Sequence, residues 1–407
     1  MKVDTVTAAR LAGAERFSRG TDQSGVRLYN ERLVLGLIRR NRSLPKAAIA
    51  RLTGLSAQTV SVIVRKLESE GFLAKEEPQR GKVGQPLVPF SLNPDGAYFI
   101  GLKIGRRSSD LMLVDFSGAV RENLRETFRY PEPARILASV KAALPRLTAP
   151  LTRKQRQRIA GLGIAAPFEL WKWAAEIGAP QTAMDAWRSF DLKAEVERLC
   201  NWPVYFCNDA TAACAAEHIL GKGNQYRDYA YFFVGTFIGG GVVLGGHIYE
   251  GRTGFAGAFG TLPVPSAHGT DQLIRRASLY LLERRLEAAG RDPAMLARSP
   301  NDWGKIGEEV DLWIAETAPA LAHAVIAAMS VIDFEAIIID GSMPEAVRER
   351  LLAAVRRRLA DHDLRGLPRF DLVEGTLGSQ ARAMGGACQP LLADFAVDRE
   401  VLFKEMA

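Results

Sequence analysis

IARLTGLSAQTVSVIVRKLESEGFL, residues 49–73, decides how the front of this chain folds. Gly54 separates two runs of helical apolar spacing. Ser56 stands where an N-cap belongs. Val60, Ile63, Val64 and Leu67 then recur at helical intervals up to Gly71, a residue suited to a left-handed stop. Ahead of this stretch, Leu33, Val34, Leu37 and Ile38 predict a helix over about 31–41 with Asn30 as its N-cap. Pro45 suits the first position of a short helix whose apolar contacts are Ile49 and Leu52. Behind it, Phe72–Leu73 and the run Leu87, Val88, Phe90, Leu92 flank the loop EEPQRGKVGQP. That pattern predicts a β-hairpin with a basic tip.

Two short helices joined through Gly54, a capped third helix and a hairpin make a winged helix-turn-helix over residues 27–95. Its third helix suits a major groove of ~12 Å. Ser56, Gln58, Thr59 and Ser61 are then the side chains placed for base edges, and Arg65 for phosphate. Arg80 and Lys82 sit at the wing tip. A small helical bundle docking a protein face is the other reading of the same pattern. Charge favours nucleic acid. Residues 1–95 hold 16 of the chain's 53 Lys and Arg but only 9 of its 46 Asp and Glu. The net +7 therefore belongs to the first quarter, and the remaining 37 and 37 cancel. Residues 1–26, with Arg10, Arg16 and Arg19, read as a flexible basic arm.

The rest of the 407 residues carries an ordinary globular composition, 47% hydrophobic and 24% charged, which excludes a disordered or fibrous chain. Ala318–Ile332 is apolar but short of the ~20 residues that span a bilayer, so it reads as a buried helix. The first residues lack the apolar run of a secretory leader. Cys200, Cys207, Cys214 and Cys388 form no CxxC pair, so reduced, mostly buried thiols and a cytoplasmic setting are expected. From Tyr98 on, strand hairpins (FIGLKIG with SDLMLVDFSG, and DYAYFFVGTFIGGGVVLGGHIYEG) alternate with helical segments. This predicts an α/β body with two lobes over residues 96–407. Two glycine-rich turns are visible, too dissimilar to read as an internal repeat.

Taken in order, the segment 49–73, GKVGQP, GLKIGRRSSDLMLVDFSG, FCNDATAACAAEHILG, GTFIGGGVVLGGHIYEGRTGFAGAFG and FEAIIIDGSMP resemble the ROK family of repressors and sugar kinases, in its regulator branch. The resemblance implies an actin-like, ribonuclease-H-like pair of lobes around a cleft. It implies sugar contacts from Asn208 and Asp209, the Asp also serving kinases as proton acceptor. By spacing alone that pair reads as a helix N-cap. The family's first phosphate turn, Asp-x-Gly-x-Thr, is here Lys103-Ile104-Gly105-Arg106-Arg107. Lysine cannot coordinate Mg²⁺, which takes oxygen ligands. Arg106 and Arg107 read as solvated surface charges, with an anion contact as the other reading. The second turn, Gly-Thr-Gly-x-Gly, is here Gly235-Thr236-Phe237-Ile238-Gly239, with a phenyl ring where phosphate approaches backbone. The family's zinc pattern Glu-x-Gly-His becomes Ala258-Phe259-Gly260-Thr261. The following loop has His268 and no cysteine, and the family's later acidic sugar contact falls on Ile274. No zinc and no catalytic residues are therefore expected.

The expectation is a repressor without cofactor, a homodimer or homotetramer on a double-stranded DNA operator, whose body senses a sugar-like small molecule away from any membrane. A working kinase behind a DNA-binding head, and a body that meets a protein partner instead of a small ligand, are the alternatives.

Overall fold

The computed structural model describes residues 23–78, 87–267 and 269–397. The chain divides into two compact units, Met1–Gly96 with Leu391–Ala407, and Ala97–Pro390. The sequence reading assigns everything after 95 to the body; by contact, the residues from Leu391 on group with the N-terminal unit.

In that unit a helix runs from Gln23 to Asn41, so it starts well before Asn30, which lies inside it rather than capping it. Residues 23–26, read as part of a flexible arm, are its first turn. Val34, Leu35 and Ile38 are buried, whereas Leu33 and Leu37 are only partly so. The second helix, Lys46–Thr53, buries Ile49; Leu52 is 52% exposed. Pro45 precedes this helix as its N-cap and belongs to a strand, β1 (Ser43–Pro45), that local sequence did not reveal. Gly54 ends the helix at φ 71°, a conformation that favours glycine, and its N–H reaches the Ala50 carbonyl at 2.9 Å. The third helix, Ala57–Ser69, is capped by Ser56 and buries Val60, Ile63, Val64 and Leu67. Gly71, at φ 82°, turns the chain into β2 (Leu73–Lys75). β3 (Pro89–Leu92) pairs antiparallel with both β1 and β2, so the hairpin is a three-stranded sheet. Arg32 is buried and donates to the carbonyls of Ala393 (2.9 Å) and Ala396 (3.2 Å), the orphan acceptors at a helix C-terminus. Phe72 meets Phe395 edge to face at 5.3 Å.

The body holds two five-stranded sheets. The first contains β4 (Tyr98–Ile104), β5 (Ser108–Asp115), β6 (Val120–Thr127), β7 (Ile159–Ala165) and β8 (Val204–Cys207), in the order β6-β5-β4-β7-β8. The second contains β9 (Tyr229–Val234), β10 (Ile238–Leu244), β11 (His247–Tyr249), β14 (Ala336–Gly341) and β15 (Asp371–Glu374), in the order β11-β10-β9-β14-β15. Between β11 and β14 in sequence lies a separate hairpin, β12 (Pro263–Ser266) with β13 (Gly269–Gln272). Each sheet has an antiparallel meander of three strands and then two parallel strands. The body is thus an internal repeat that the two glycine-rich turns were too dissimilar to reveal. β4, β5, β9 and β14 are buried along their whole length, the pattern of sheets covered on both faces. β6 alternates instead, and its sequence VRENLRET hides it as an edge strand.

The helix Gly307–Val331 is longer than its apolar stretch suggests, and by length and composition could cross a bilayer. Here it buries Trp313, Leu321 and Val325, and Trp313 donates to the Ser278 carbonyl at 3.1 Å. Cys207, Cys214 and Cys388 are buried and Cys200 partly so, all as free thiols; burial raises the first two well above the usual range.

One close contact positions the site. The helix Ala381–Phe395 begins in the body, where it lies directly on β4 and β7. A Cβ at Gly101 would fall 2.0 Å from the Ala383 carbonyl oxygen, and one at Gly163 would fall 1.9 Å from that of Gly386. Only glycine on the strands lets this helix come so near.

Candidate functional site

In the N-terminal unit the helix Ala57–Ser69 shows one face to solvent. Gln58 and Arg65 on it are exposed, Ser61 is partly exposed, and Val62 is 55% exposed. Thr59 is less available. Its backbone N–H donates to the Ser56 hydroxyl at 3.1 Å, and the two hydroxyls lie 2.8 Å apart. Ser56 and Thr59 are therefore committed to the cap. Arg65 folds back onto the Ser61 carbonyl at 3.1 Å. Val62 is the side chain that sequence reasoning passed over. Its i+4 spacing from Gln58 is the available signal. Arg80 and Lys82 lie outside the described residues.

In the body, residues of both halves line a cleft of about 190 Å³. Asn208 and Asp209 open the helix Asp209–Leu220 on one wall. Asn208 is its N-cap, accepting from the Ala210 N–H at 3.0 Å through Oδ1, and it lines the cleft. Asp209 is buried, and its Oδ2 accepts from Arg382 Nη1 at 3.2 Å. Arg382 also donates to the Ser342 hydroxyl at 3.0 Å and lies over the Phe233 ring at 4.9 Å. Its place follows from the glycine contacts. Neighbouring Ala383 abuts Gly101, and Gly385 has room for no Cβ beside the Ala212 carbonyl oxygen at 1.9 Å. Asp209 and Arg382 are 173 residues apart, which no local pattern could connect. Phe168 and Phe255, 5.1 Å apart edge to face, form an aromatic rim. Ala258, Thr261 and Ile274, the positions at which the resemblance implied ligand contacts, line the same cleft.

The two turns beside the cleft are filled from within. Lys103 is buried; its Nζ donates to the Ser108 hydroxyl at 2.6 Å and to Asp110 Oδ2 at 3.1 Å. Burial pulls this ammonium down to about 8 against the attraction of Asp110. Burial by itself would raise Asp110, but Lys103 and Arg125 hold it below its ordinary value. Arg107 is not a solvated surface charge. It pairs with Glu283 at 2.7 Å and donates to the Ile177 carbonyl at 2.9 Å. Arg106 is partly buried, its guanidinium 4.2 Å from the centre of the Phe237 ring. Phe237 is buried, 5.2 Å from Trp173 and 5.2 Å from Tyr280. Between these turns only about 30 Å³ remains, lined by Lys103, Arg106, Arg107, Arg125 and Arg382 among others. That is room for a water and not for a phosphoryl group. Among the described residues no three His, Cys, Asp or Glu side chains gather as a metal site, and His268 lies outside them.

Comparison with known proteins agrees with this geometry. Residues 99–272 match the ROK family and residues 27–74 a winged helix-turn-helix DNA-binding domain. The chain carries a ROK-family domain behind a winged helix-turn-helix. An uncharacterized protein of Sinorhizobium fredii is 26% identical over 381 residues, 90% of this chain and 91% of its own. The xylose repressor of Bacillus subtilis is 25% identical over 245 residues, 60% of this chain and 62% of its own, so the match spans less than two thirds of that repressor. A crystal structure of a ROK family transcriptional regulator, a homologue of the E. coli MLC protein, superimposes with a TM-score of 0.63. It is 18% identical and covers 93% of this chain and 99% of its own, a likeness of fold.

Proposed function

We propose that this protein is a cytoplasmic transcriptional repressor whose ROK-family body senses a sugar-like small molecule. The observation that carries this reading is the exposed Gln58, Val62 and Arg65 with the partly exposed Ser61 on a helix capped by Ser56, within residues 1–95, which hold the chain's net +7. A homodimer or homotetramer of the body would pair two such helices on a palindromic operator at ~10 bp or a multiple of it. Asn208 and Asp209 offer an amide donor and a carboxylate acceptor to neighbouring hydroxyls. A ligand that prefers one arrangement of the body shifts the population of DNA-competent protein.

Phosphoryl transfer is a poorer fit. It depends on a positioned donor and on metal-borne charge stabilisation. Here Lys103 replaces a carboxylate, about 30 Å³ is left between the turns, and Asp209 is tied to Arg382. The intact Asn208-Asp209 pair is what favours a kinase, and Asp209-dependent ATP turnover with any hexose would establish one.

Selection of binding sites from random duplex DNA with the full chain tests the repressor reading. The wild type should enrich a palindromic motif. Gln58→Ala should relax one position of each half-site, at ~1–3 kcal/mol for a bidentate contact to adenine. Arg80→Ala should weaken all sequences about equally. A full chain that enriches no sequence would defeat the assignment.

A further inference from the structure

The cleft holds a cation that a neutral sugar would leave unanswered. Its charged lining residues are Arg106, Glu169 and Asp209. Asp209 is balanced by Arg382 at 3.2 Å, and Glu169 by Lys172 at 2.6 Å on the exposed rim. Arg106 has neither an ion pair nor a hydrogen bond among the described residues. Its Nε is shut off from water and meets no acceptor. The guanidinium lies over Phe237, which fixes its plane but accepts no N–H in that plane. It feels the charges of Asp209 and, less, Glu176 without bonding to either: Asp209 is held by Arg382, and Glu176 leans toward Arg275 at 3.9 Å. Burial brings Arg106 down to about 10, so it is still charged at neutral pH. Around the small cavity behind it, Asp110 is taken by Lys103 and Arg125, Glu283 by Arg107 and Asp209 by Arg382.

A guanidinium whose Nε is buried without an acceptor costs stability unless a ligand completes it. Its planar fork matches a carboxylate or a phosphate ester, and Arg106 lines the cleft together with Asn208 and Asp209. A volume of about 190 Å³, below the ~300–1,000 Å³ of drug-sized pockets, limits the occupant to about one sugar ring. Resting on the effector reading above, we infer that the ligand is an acidic monosaccharide. Arg106 receives its carboxylate or phosphate ester, while Asn208 and Asp209 hold its hydroxyls.

Thermal-shift and calorimetric titration of the full chain decide this. The probes are glucose and xylose, their uronic and aldonic acids, their phosphate esters, and inorganic phosphate alone. One acidic class should bind while its neutral parent does not, and the class that binds tells carboxylate from phosphate. Arg106→Gln should weaken that ligand at least ~10-fold, the worth of a charge-assisted hydrogen bond, and Arg106→Lys should recover part of it. Arg106 has no hydrogen bond or ion pair to lose among the described residues, and the contact with Phe237 that glutamine gives up is offset by the burial cost it relieves, so the glutamine variant should melt close to the wild type without ligand, which separates a binding loss from misfolding. Asp209→Ala should weaken every sugar. If a neutral sugar binds through Asp209 and Arg106→Gln does not affect it, the acidic-ligand inference is overturned and the effector cleft stands. If inorganic phosphate alone binds as well as any sugar ester, the site is not a sugar site. If no sugar of either class binds, both readings fail together.

Discussion

The β4–β5 corner and the β9–β10 corner occupy the same place in two sheets of the same strand order, yet they are built from opposite materials. The first carries Lys103, Arg106 and Arg107; the second carries Thr236 and Phe237. A cation turned inward needs an acceptor close by. Lys103 finds one across its own hairpin in Asp110, and Arg107 finds one on a distant helix in Glu283. The aromatic corner needs only packing, and Trp173 and Tyr280 supply it. The two corners touch through the one cation that found no carboxylate, with Arg106 lying on Phe237. Topology repeats; the chemistry of the turns does not. What each turn can bind follows from which of its side chains are already answered.

Removing the ring should have the largest effect. Phe237→Ala deletes a buried phenyl from between Trp173 and Tyr280 and should cost ~3–5 kcal/mol by denaturant titration. The comparison sharpens if that variant still gains no thermal protection from Mg·ATP, since Lys103 and Arg382 would continue to close the space. Protection by Mg·ATP would instead make Phe237 the sole obstacle to a nucleotide.

A smaller loss is expected from Lys103→Met. Breaking a buried pair by removing one partner costs ~3–5 kcal/mol where the other is left alone. Asp110 keeps Arg125 at 2.9 Å, so about 2 kcal/mol, below that range, is expected. A stable variant would mean that the cationic corner packs as indifferently as the aromatic one.

The smallest signature is in the pH dependence. Lys103 titrates near 8 in the fold, against an ordinary 10.5 once unfolded. Between those values the unfolded chain binds more protons, so this residue's contribution to stability rises with pH there. The wild-type curve should climb relative to Lys103→Met across that window, by at most ~1.4 kcal/mol per pH unit. Parallel curves would show that burial does not depress the ammonium.

Much of the head was legible because its signals are local. A Ser cap, a helical repeat and a left-handed glycine are all read within a few residues, and Ala57–Ser69 follows from them nearly to the residue. The start of the first helix was misplaced because Gln23–Tyr29 lacks a strong apolar stripe and Asn30 resembles a cap. In the body, β6 escaped because charged residues outnumber apolar ones on an edge strand.

The sequence by itself determined the two-part architecture, the cationic and aromatic residues in the two turns, and the Asn208-Asp209 pair at a helix start. Each is a property of residue type or short spacing. Tertiary structure alone decided what those residues do with their charge. Arg382 reaches Asp209 because Gly101, Gly163 and Gly385 let a helix lie against backbone, over separations that no periodicity spans. Arg106 and Arg107 are adjacent, alike in type and indistinguishable in sequence. One pairs with Glu283 and the other makes no ion pair or hydrogen bond among the described residues, because burial and partnership are set by the elements that pack around a side chain rather than by its neighbours in the chain.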